Sequence, residues 1–287
     1  MADKPDGAAQ PLTVQQALAQ AATTGVDSLD AQWLLAHLLQ QARTWLRSHA
    51  EAPLPSAIAQ AFASGCQRLA ADEPLAYLLG EQSFHGLLLQ VTPAVLVPRP
   101  DTETLVDWAL ALLPSLATSS PRVLDLGTGS GAVALAVAQR WPAAQVGATD
   151  ISPAALAVAQ ANARRLALPV AFAAGDWWQA VPAGSQFDLL LSNPPYIAGN
   201  DPHLPALRHE PLLALTPGGD GLGALAAIIS GAPAHLARGG WLLLEHGWDQ
   251  AAAVAALLQH AGFSHISSRA DLAGRPRCSG GRWAVPG

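Results

Sequence analysis

Lysine is almost missing from this chain of 287 residues: Lys4 is the only one, and charged residues of all kinds make up 13%. The formal net charge is −6, and no basic run is longer than Arg164-Arg165. A protein that grips nucleic acid by its phosphates needs a basic stripe, so a stable nucleic-acid complex is not expected. Arg275, Arg277 and Arg282 form one loose cluster near the C-terminus, expected to be solvated. Cysteine is nearly as scarce. Cys66 and Cys278 lie far apart in no metal-ligand spacing, as befits small buried thiols in a reducing compartment. The nine histidines are scattered, with no H-x-x-x-H and no histidine–carboxylate cluster, so no metal site is expected. Residues 1–10 hold Asp3, Lys4 and Asp6 without an apolar core and do not read as a secretory signal. The uncharged stretch 221–237 is broken by Gly, Ser, Pro and His and is no membrane span. The expectation is a monomer in the cytoplasm.

What the chain does have is apolar residues, 51% of the total, enough for a well-packed core. Residues 11–80 read as helical throughout. Thr13 with Gln16 makes a capping box that opens a helix over 14–22. Trp33, Leu34, His37, Leu38 and Leu39 recur at helical spacing, which puts His37 on an apolar stripe as a satisfied core histidine. Segments 44–49 and 55–69 are similar, so four or five helices form a small bundle. A β-rich stretch over 84–97 follows. From residue 101 helices and strands alternate: helix to 116, strand 122–126, helix 132–140, strand 145–148, helix 152–167, strand 170–173, strand 187–192, helix 224–237, strand 240–245, helix 249–261, then terminal strands. That alternation predicts an α/β fold, a largely parallel sheet covered by helices on both faces. The predicted domains are 1–82, helical; 83–98, a β-hairpin linker; and 99–287, the α/β unit. The loop from 193 to 223 is too long for a simple connector, which argues for function.

Four strand ends carry the candidate chemistry. The first strand breaks into Gly127-Thr128-Gly129-Ser130-Gly131, where glycine lets the backbone approach a ligand closely. Ala132 follows, not the lysine of a phosphate-binding loop. Asp150 closes the second strand 19 residues beyond Gly131 (150 − 131), the distance at which a carboxylate binds ribose hydroxyls. After the third strand, Gly175-Asp176-Trp177 offers a polar group and an aromatic plate for an adenine; Trp178 is the alternative plate. At the fourth, Phe187–Ser192 runs into Asn193-Pro194-Pro195-Tyr196. The prolines stop the strand and hold Asn193 extended. Asn193 then presents a side-chain carbonyl, Pro194 a backbone carbonyl and Tyr196 a ring: two acceptors and a plate for a planar –NH2 group. Singly these pieces have ordinary structural readings, Asp150 as a helix-cap neighbour and Trp177 as core filler. Their order at successive strand ends is harder to obtain by accident.

This ordered set resembles the Rossmann-like S-adenosylmethionine-dependent methyltransferases, and Asn-Pro-Pro-Tyr is similar to the signature of those that modify an amide or exocyclic amino nitrogen. Further segments resemble the protein-(glutamine-N5) methyltransferases of peptide chain release factors. They are Pro74–Gly80, Phe84-His85-Gly86, Val95–Glu103 with its Pro-Arg-Pro-Asp-Thr-Glu run, Glu210-Pro211, Gly219–Leu222, Leu244–Gly247 and Asp271–Gly274. The resemblance covers nearly all of the chain past residue 11. His209, where that family favours an aromatic, departs from it. A related glutamine methyltransferase of a ribosomal protein is matched less well in the Val95–Glu103 segment.

The resemblance implies S-adenosylmethionine as methyl donor, held by Gly127, Thr128, Gly129, Ser130, Gly131, Asp150, Trp177 and Asn193, with S-adenosylhomocysteine as product. It implies catalysis by Asn193, Pro194 and Tyr196, with Pro195 stiffening the turn, on the glutamine of the Gly-Gly-Gln loop of class I release factors. Residues 1–82 become a substrate-recognition domain by the same implication. An adenine-N6 methyltransferase of DNA or RNA is the competing enzyme, and it would require a basic duplex-binding surface that the charge balance does not supply. A non-enzymatic S-adenosylmethionine-binding module would leave Asn193–Tyr196 without purpose.

Overall fold

The computed structural model describes residues 11–284; the Met1–Gln10 segment read above as no secretory signal lies outside them. The chain divides into two compact units after Leu79.

The first unit is five helices: α1 Val14–Thr23, α2 Ser28–Leu39, α3 Arg43–Ser48, α4 Ser56–Ala70 and α5 Leu75–Leu79. The Thr13–Gln16 capping box is present in both directions, with Thr13 N–H donating to Gln16 Oε1 at 3.0 Å and Gln16 N–H to Thr13 Oγ1 at 3.3 Å. Val14, Ala17, Leu34, Leu35, Leu46, Phe62 and Cys66 form its core. One expectation fails here. His37 and Trp33 are exposed, because α2 buries Ala31, Leu34 and Leu35 instead. At about 100° per residue those three share one face, and Trp33 falls nearly opposite it. The pattern 34-37-38 is helical but is not the buried stripe.

The second unit opens with an antiparallel hairpin, β1 Glu81–Phe84 and β2 Leu87–Gln90. After a 3-10 turn at Pro100–Thr102 and helix α6, Glu103–Leu112, comes the alternating region. Its strands are β3 Arg122–Leu126, β4 Gln145–Asp150, β5 Val170–Ala174, β6 Phe187–Ser192, β7 Leu236–Glu245, β8 Ser264–Ala270 and β9 Pro276–Arg282. Helices α7 Ala132–Arg140, α8 Pro153–Leu166, α9 Leu212–Leu215, α10 Gly223–Gly231 and α11 Ala251–His260 connect them. The sheet order is β5-β4-β3-β6-β7-β9-β8, parallel from β5 to β7 and antiparallel at β9 and β8. The predicted helix over 224–237 stops at Gly231, and the chain is already in β7 at Leu236. Pro233 lacks the N–H that would continue the helix and sits instead in a 3-10 turn, Ala232–Ala234.

Leu105, Val133, Leu135 and Leu189 belong to the core on one face of the sheet, and Leu126, Leu190, Leu225 and Ile228 to the core on the other. This double burial is why β6 reads as an uninterrupted apolar run. From β3 the chain goes to β4 and β5 on one side, then returns to place β6 on the other. The strand order reverses between β3 and β6, and open α/β sheets bind ligands at the carboxyl end of that crevice. Among the described residues, no helix is long and apolar enough to cross a membrane.

Candidate active site

A cavity of about 630 Å³ opens at that crevice, within the size range of small-molecule sites. Gly127, Thr128, Gly129, Ser130, Asp150, Asp176, Trp177, Asn193 and Pro195 all line it.

Its β3–β5 half is built largely by backbone. Gly127 N–H and Thr128 N–H both donate to Thr149 O at 2.9 Å, folding the glycine turn over the end of β4. Thr128 Oγ1 donates to Asp125 Oδ2 at 2.6 Å beneath it. Asp125 is fully enclosed, and burial lifts its carboxyl to about 7 against the bonds from Thr128 and Ala134 N–H. Gly131 has φ +86°, and a Cβ there would stand 2.9 Å from Leu135 Cδ1 and 3.2 Å from Ala159 Cβ, so the turn needs glycine at that point. Asp150 accepts from Gly129 N–H through Oδ2 and from Ser152 N–H through Oδ1, both at 2.9 Å. A carboxylate offers about four acceptor sites, so it keeps capacity for a further donor. Partial burial raises the Asp150 carboxyl above the ordinary value, opposed by those N–H groups.

Trp177 lies against the glycine turn, its ring 3.2 Å from where a Gly127 Cβ would be. Trp178 is committed elsewhere: its Nε1 donates to Ala227 O at 3.1 Å and its ring stacks on His235 at 4.7 Å. Of the two, Trp177 is therefore the one on the cavity wall. A glycine turn, a carboxylate and an aromatic ring on one wall are a set that fits an adenosyl group.

The β6 half is built by side chains from distant segments. Asn193 is half-buried on the wall, and its Nδ2 donates to Thr102 Oγ1 at 3.1 Å. Pro195 is on the wall too; Pro194 and Tyr196 are not among the lining residues. Tyr196 turns its hydroxyl to Glu245 Oε1 at 3.1 Å, because that buried carboxylate at the end of β7 needs donors. Burial and the negative charge of Glu245 push the Tyr196 hydroxyl well above its usual range.

Arg277 corrects a second expectation. It is buried rather than solvated, and its guanidinium pairs with Asp101 Oδ2 at 3.0 Å and Asp271 Oδ2 at 3.2 Å. β9 carries it next to β7, a pairing that no local spacing reveals. Cys66 and Cys278 are free and buried.

The long loop is pinned rather than loose. Glu210 accepts Val97 N–H at 3.0 Å and the Arg99 guanidinium, tying the loop to the segment before α6. Gln250 Nε2 donates to Tyr196 O at 3.0 Å and holds the Asn193–Tyr196 turn from α11. Leu213 and Ala214, in α9, bring the loop to the cavity wall. Sequence reasoning missed Thr102, Glu245 and Arg277 as site residues. The first two lay within segments matched to a family, yet nothing local tied them to Asn193.

Residues 103–260 match the family model for the methyltransferase small domain, and residues 13–80 match that of the PrmC N-terminal domain. The release factor glutamine methyltransferase of Bordetella pertussis is 52% identical over 262 residues, 91% of this chain and 96% of that one. Those of Xylella fastidiosa and Burkholderia pseudomallei are 49% and 50% identical over 93% and 91% of this chain, and 97% and 93% of their own. Among solved structures, a methyltransferase from Pyrococcus furiosus aligns with TM-score 0.54 at 19% identity, covering 78% of this chain and all of the other. A Thermus thermophilus 16S rRNA methyltransferase in complex with AdoMet and guanosine aligns with TM-score 0.53 at 19% identity, over 70% of this chain and 49% of the other. At that identity the two structures share the fold.

Proposed function

Since the chain belongs to the release factor glutamine methyltransferase family, we propose that it methylates the side-chain amide nitrogen (N5) of the glutamine in the Gly-Gly-Gln motif of class I release factors, with S-adenosylmethionine as donor. The observation that carries this reading is the single cavity joining Asp150 and Trp177 to Asn193. One wall suits an adenosyl group and the other an amide.

Gly127–Gly131 and Asp150 would hold the donor's ribose and tail, and Trp177 its adenine. When bound, the donor supplies a methyl group whose bond to sulfur breaks with the electron pair left on sulfur. The acceptor nitrogen is a weak nucleophile, because its lone pair is shared with the carbonyl. Asn193 Oδ1 accepts one of its N–H bonds, and the carbonyl of Pro194, which lies between the wall residues Asn193 and Pro195, is assigned the other; together they aim it at the methyl and favour the positive charge that grows on it. One of those protons then leaves for water as the N–CH3 bond is completed. Tyr196 supports the turn through the bond of its hydroxyl to Glu245.

The helical unit, residues 11–79, is assigned to recognition of the release factor, supported by the family match over 13–80. The experiment is incubation with labelled methyl donor and purified release factors, ribosomal proteins and DNA. Label on the release factor glutamine, with a shallow salt dependence, is the expected result. Preferential labelling of adenine with a steep salt slope would overturn the reading. A chain beginning at Gly80 should still bind the donor and should methylate intact release factor with a greatly raised KM. An unchanged KM would remove the recognition role from the helices.

A further inference from the structure

Asn193 can do its work only with its amide facing the right way. The side chain has a carbonyl oxygen on one side and an NH2 on the other, similar in shape and opposite in hydrogen-bonding sense. With Oδ1 toward an incoming amide it accepts an N–H bond; flipped, it presents donors to donors and repels the substrate. What holds it is Thr102, whose Oγ1 accepts from Nδ2 at 3.1 Å. A threonine hydroxyl can accept or donate, so on its own it would tolerate either orientation of the amide.

The hydroxyl does not stand alone. Thr102 is itself buried, and its side chain also stabilises the charge of Glu245. Glu245 is 1% exposed and takes the Tyr196 hydroxyl on Oε1, while Oε2, equally enclosed, has no hydrogen-bond partner. A buried carboxylate oxygen without a donor is costly, and a carboxylate outcompetes a neutral amide oxygen for a hydroxyl proton.

We propose that Thr102 and Glu245 are positioning residues for methyl transfer: Glu245 draws the Thr102 hydroxyl proton to its open Oε2, Oγ1 is left as an acceptor only, and the Asn193 amide is locked with its NH2 toward Thr102 and its Oδ1 free for the substrate amide. The inference rests on the role given to Asn193 above. It adds that the orientation is set through two residues behind Asn193, Thr102 and Glu245, and that Tyr196 belongs to the same device as the donor to the other carboxylate oxygen.

The charge of Glu245 then matters. The groups that face it are Tyr196 from the turn after β6, Asp101 and Thr102 from the 3-10 turn, and Arg277 and Cys278 from β9. Burial raises its carboxyl from 4.5 to about 7, with Thr102, Tyr196 and Arg277 pulling the other way. Below about pH 7 the group gains a proton, becomes a weaker acceptor, and can itself donate to Thr102 Oγ1, competing with Asn193 for that lone pair.

The test compares Thr102→Val, Thr102→Ser, Glu245→Gln and Asn193→Ala in the full chain, with donor affinity measured by calorimetry to show that each folds. Thr102→Val should lower kcat about 10–100-fold, the scale of a lost transition-state partner, with donor affinity within about twofold. Thr102→Ser should recover most of the rate. Glu245→Gln should lower kcat and abolish the fall in kcat that the parent protein shows below about pH 7. The chain has only three asparagines, Asn162, Asn193 and Asn200, so the Asn193 side-chain NH2 pair can be followed by NMR in 15N-asparagine-labelled protein. Its exchange with water should be slow, and fast in Thr102→Val. Equal losses in Thr102→Val and Thr102→Ser would mean packing rather than a hydrogen bond, and would overturn the proposal. So would a normal rate in Thr102→Val beside a crippled Asn193→Ala. A normal rate in Asn193→Ala would instead overturn the role of Asn193 beneath it.

Discussion

Two carboxylates stand at the carboxyl edge of the same sheet and are held in opposite ways. Asp150, at the end of β4, is half-buried, and both its oxygens take backbone N–H bonds, from Gly129 and Ser152. Glu245, at the end of β7, is enclosed, takes a side-chain hydroxyl from Tyr196, and keeps one oxygen unpartnered. The donors to Asp150 lie within a 24-residue stretch (152 − 129 + 1), on the turn and the helix start that flank β4. The groups around Glu245 come from residues 101, 102, 196 and 277. The donor half of the cavity is thus a local device of backbone and glycine, and the acceptor half a convergence of side chains that only the closed sheet brings together. A device of the first kind should tolerate change nearby; one of the second should pass damage from member to member.

The largest effect expected on that contrast is from Arg277→Ala. Removing it leaves Asp271 Oδ2 without its guanidinium partner, while Oδ1 keeps the N–H groups of Ala273 and Arg275, and it withdraws the cation facing Glu245. Loss of a guanidinium that pairs with two carboxylates should lower the calorimetric Tm of the second unit by several degrees. A Tm within a degree or two of the parent would mean that the cluster is not the convergence described. Asn193→Ala comes next, with turnover down about 10²–10³ and donor affinity nearly intact. Near-normal turnover at saturating substrate would show the amide to be held by something else.

On the backbone-built side, Asp150→Ala should weaken S-adenosylmethionine binding by about 1.5–3 kcal/mol while the fold survives. Unchanged affinity in a folded variant would remove Asp150 from the donor site. The smallest effect concerns Asp125 beneath the glycine turn. Burial lifts its carboxyl from 3.8 to about 7, so the folded protein holds a proton that the unfolded chain releases between about pH 4 and 7. This group therefore adds stability at low pH that is lost as pH rises through about 7. In Asp125→Asn the difference in Tm between pH 5 and pH 8 should shift accordingly, with less loss on the alkaline side. An unchanged difference would show that the carboxyl is neutral in its effect.

How much of this was legible beforehand follows the same division. Strands β3 and β6 and helix α7 were readable to the residue, because each is an apolar run or stripe closed by glycine, proline or a cap. The capping box of α1 needs only Thr13 and Gln16. The miss on α2 shows the limit of periodicity. Leu34 with His37 and Leu38 is as regular a stripe as Ala31 with Leu34 and Leu35, and which one is buried depends on where α1 and α4 lie. Trp177 against Trp178 was undecidable for a similar reason: adjacent residues in a 3-10 turn point apart, and His235 and Ala227 claim one of them.

The sequence by itself determined the alternating α/β order, the glycine turn, the carboxylate at the end of β4 and the amide at the end of β6. Each is written within a few residues and enforced by steric limits on glycine, proline and strand ends. Only the tertiary structure decided that Arg277 is buried, that the Tyr196 hydroxyl is bonded to Glu245, and that Thr102 meets the Asn193 amide. Those facts rest on the pairing of β7 with β9 and on the return of the 3-10 turn to the sheet edge. Hydrogen bonds between groups ninety residues apart leave no period in a sequence, because what selects them is the cost of leaving a buried donor or acceptor unpaired once the chain has closed.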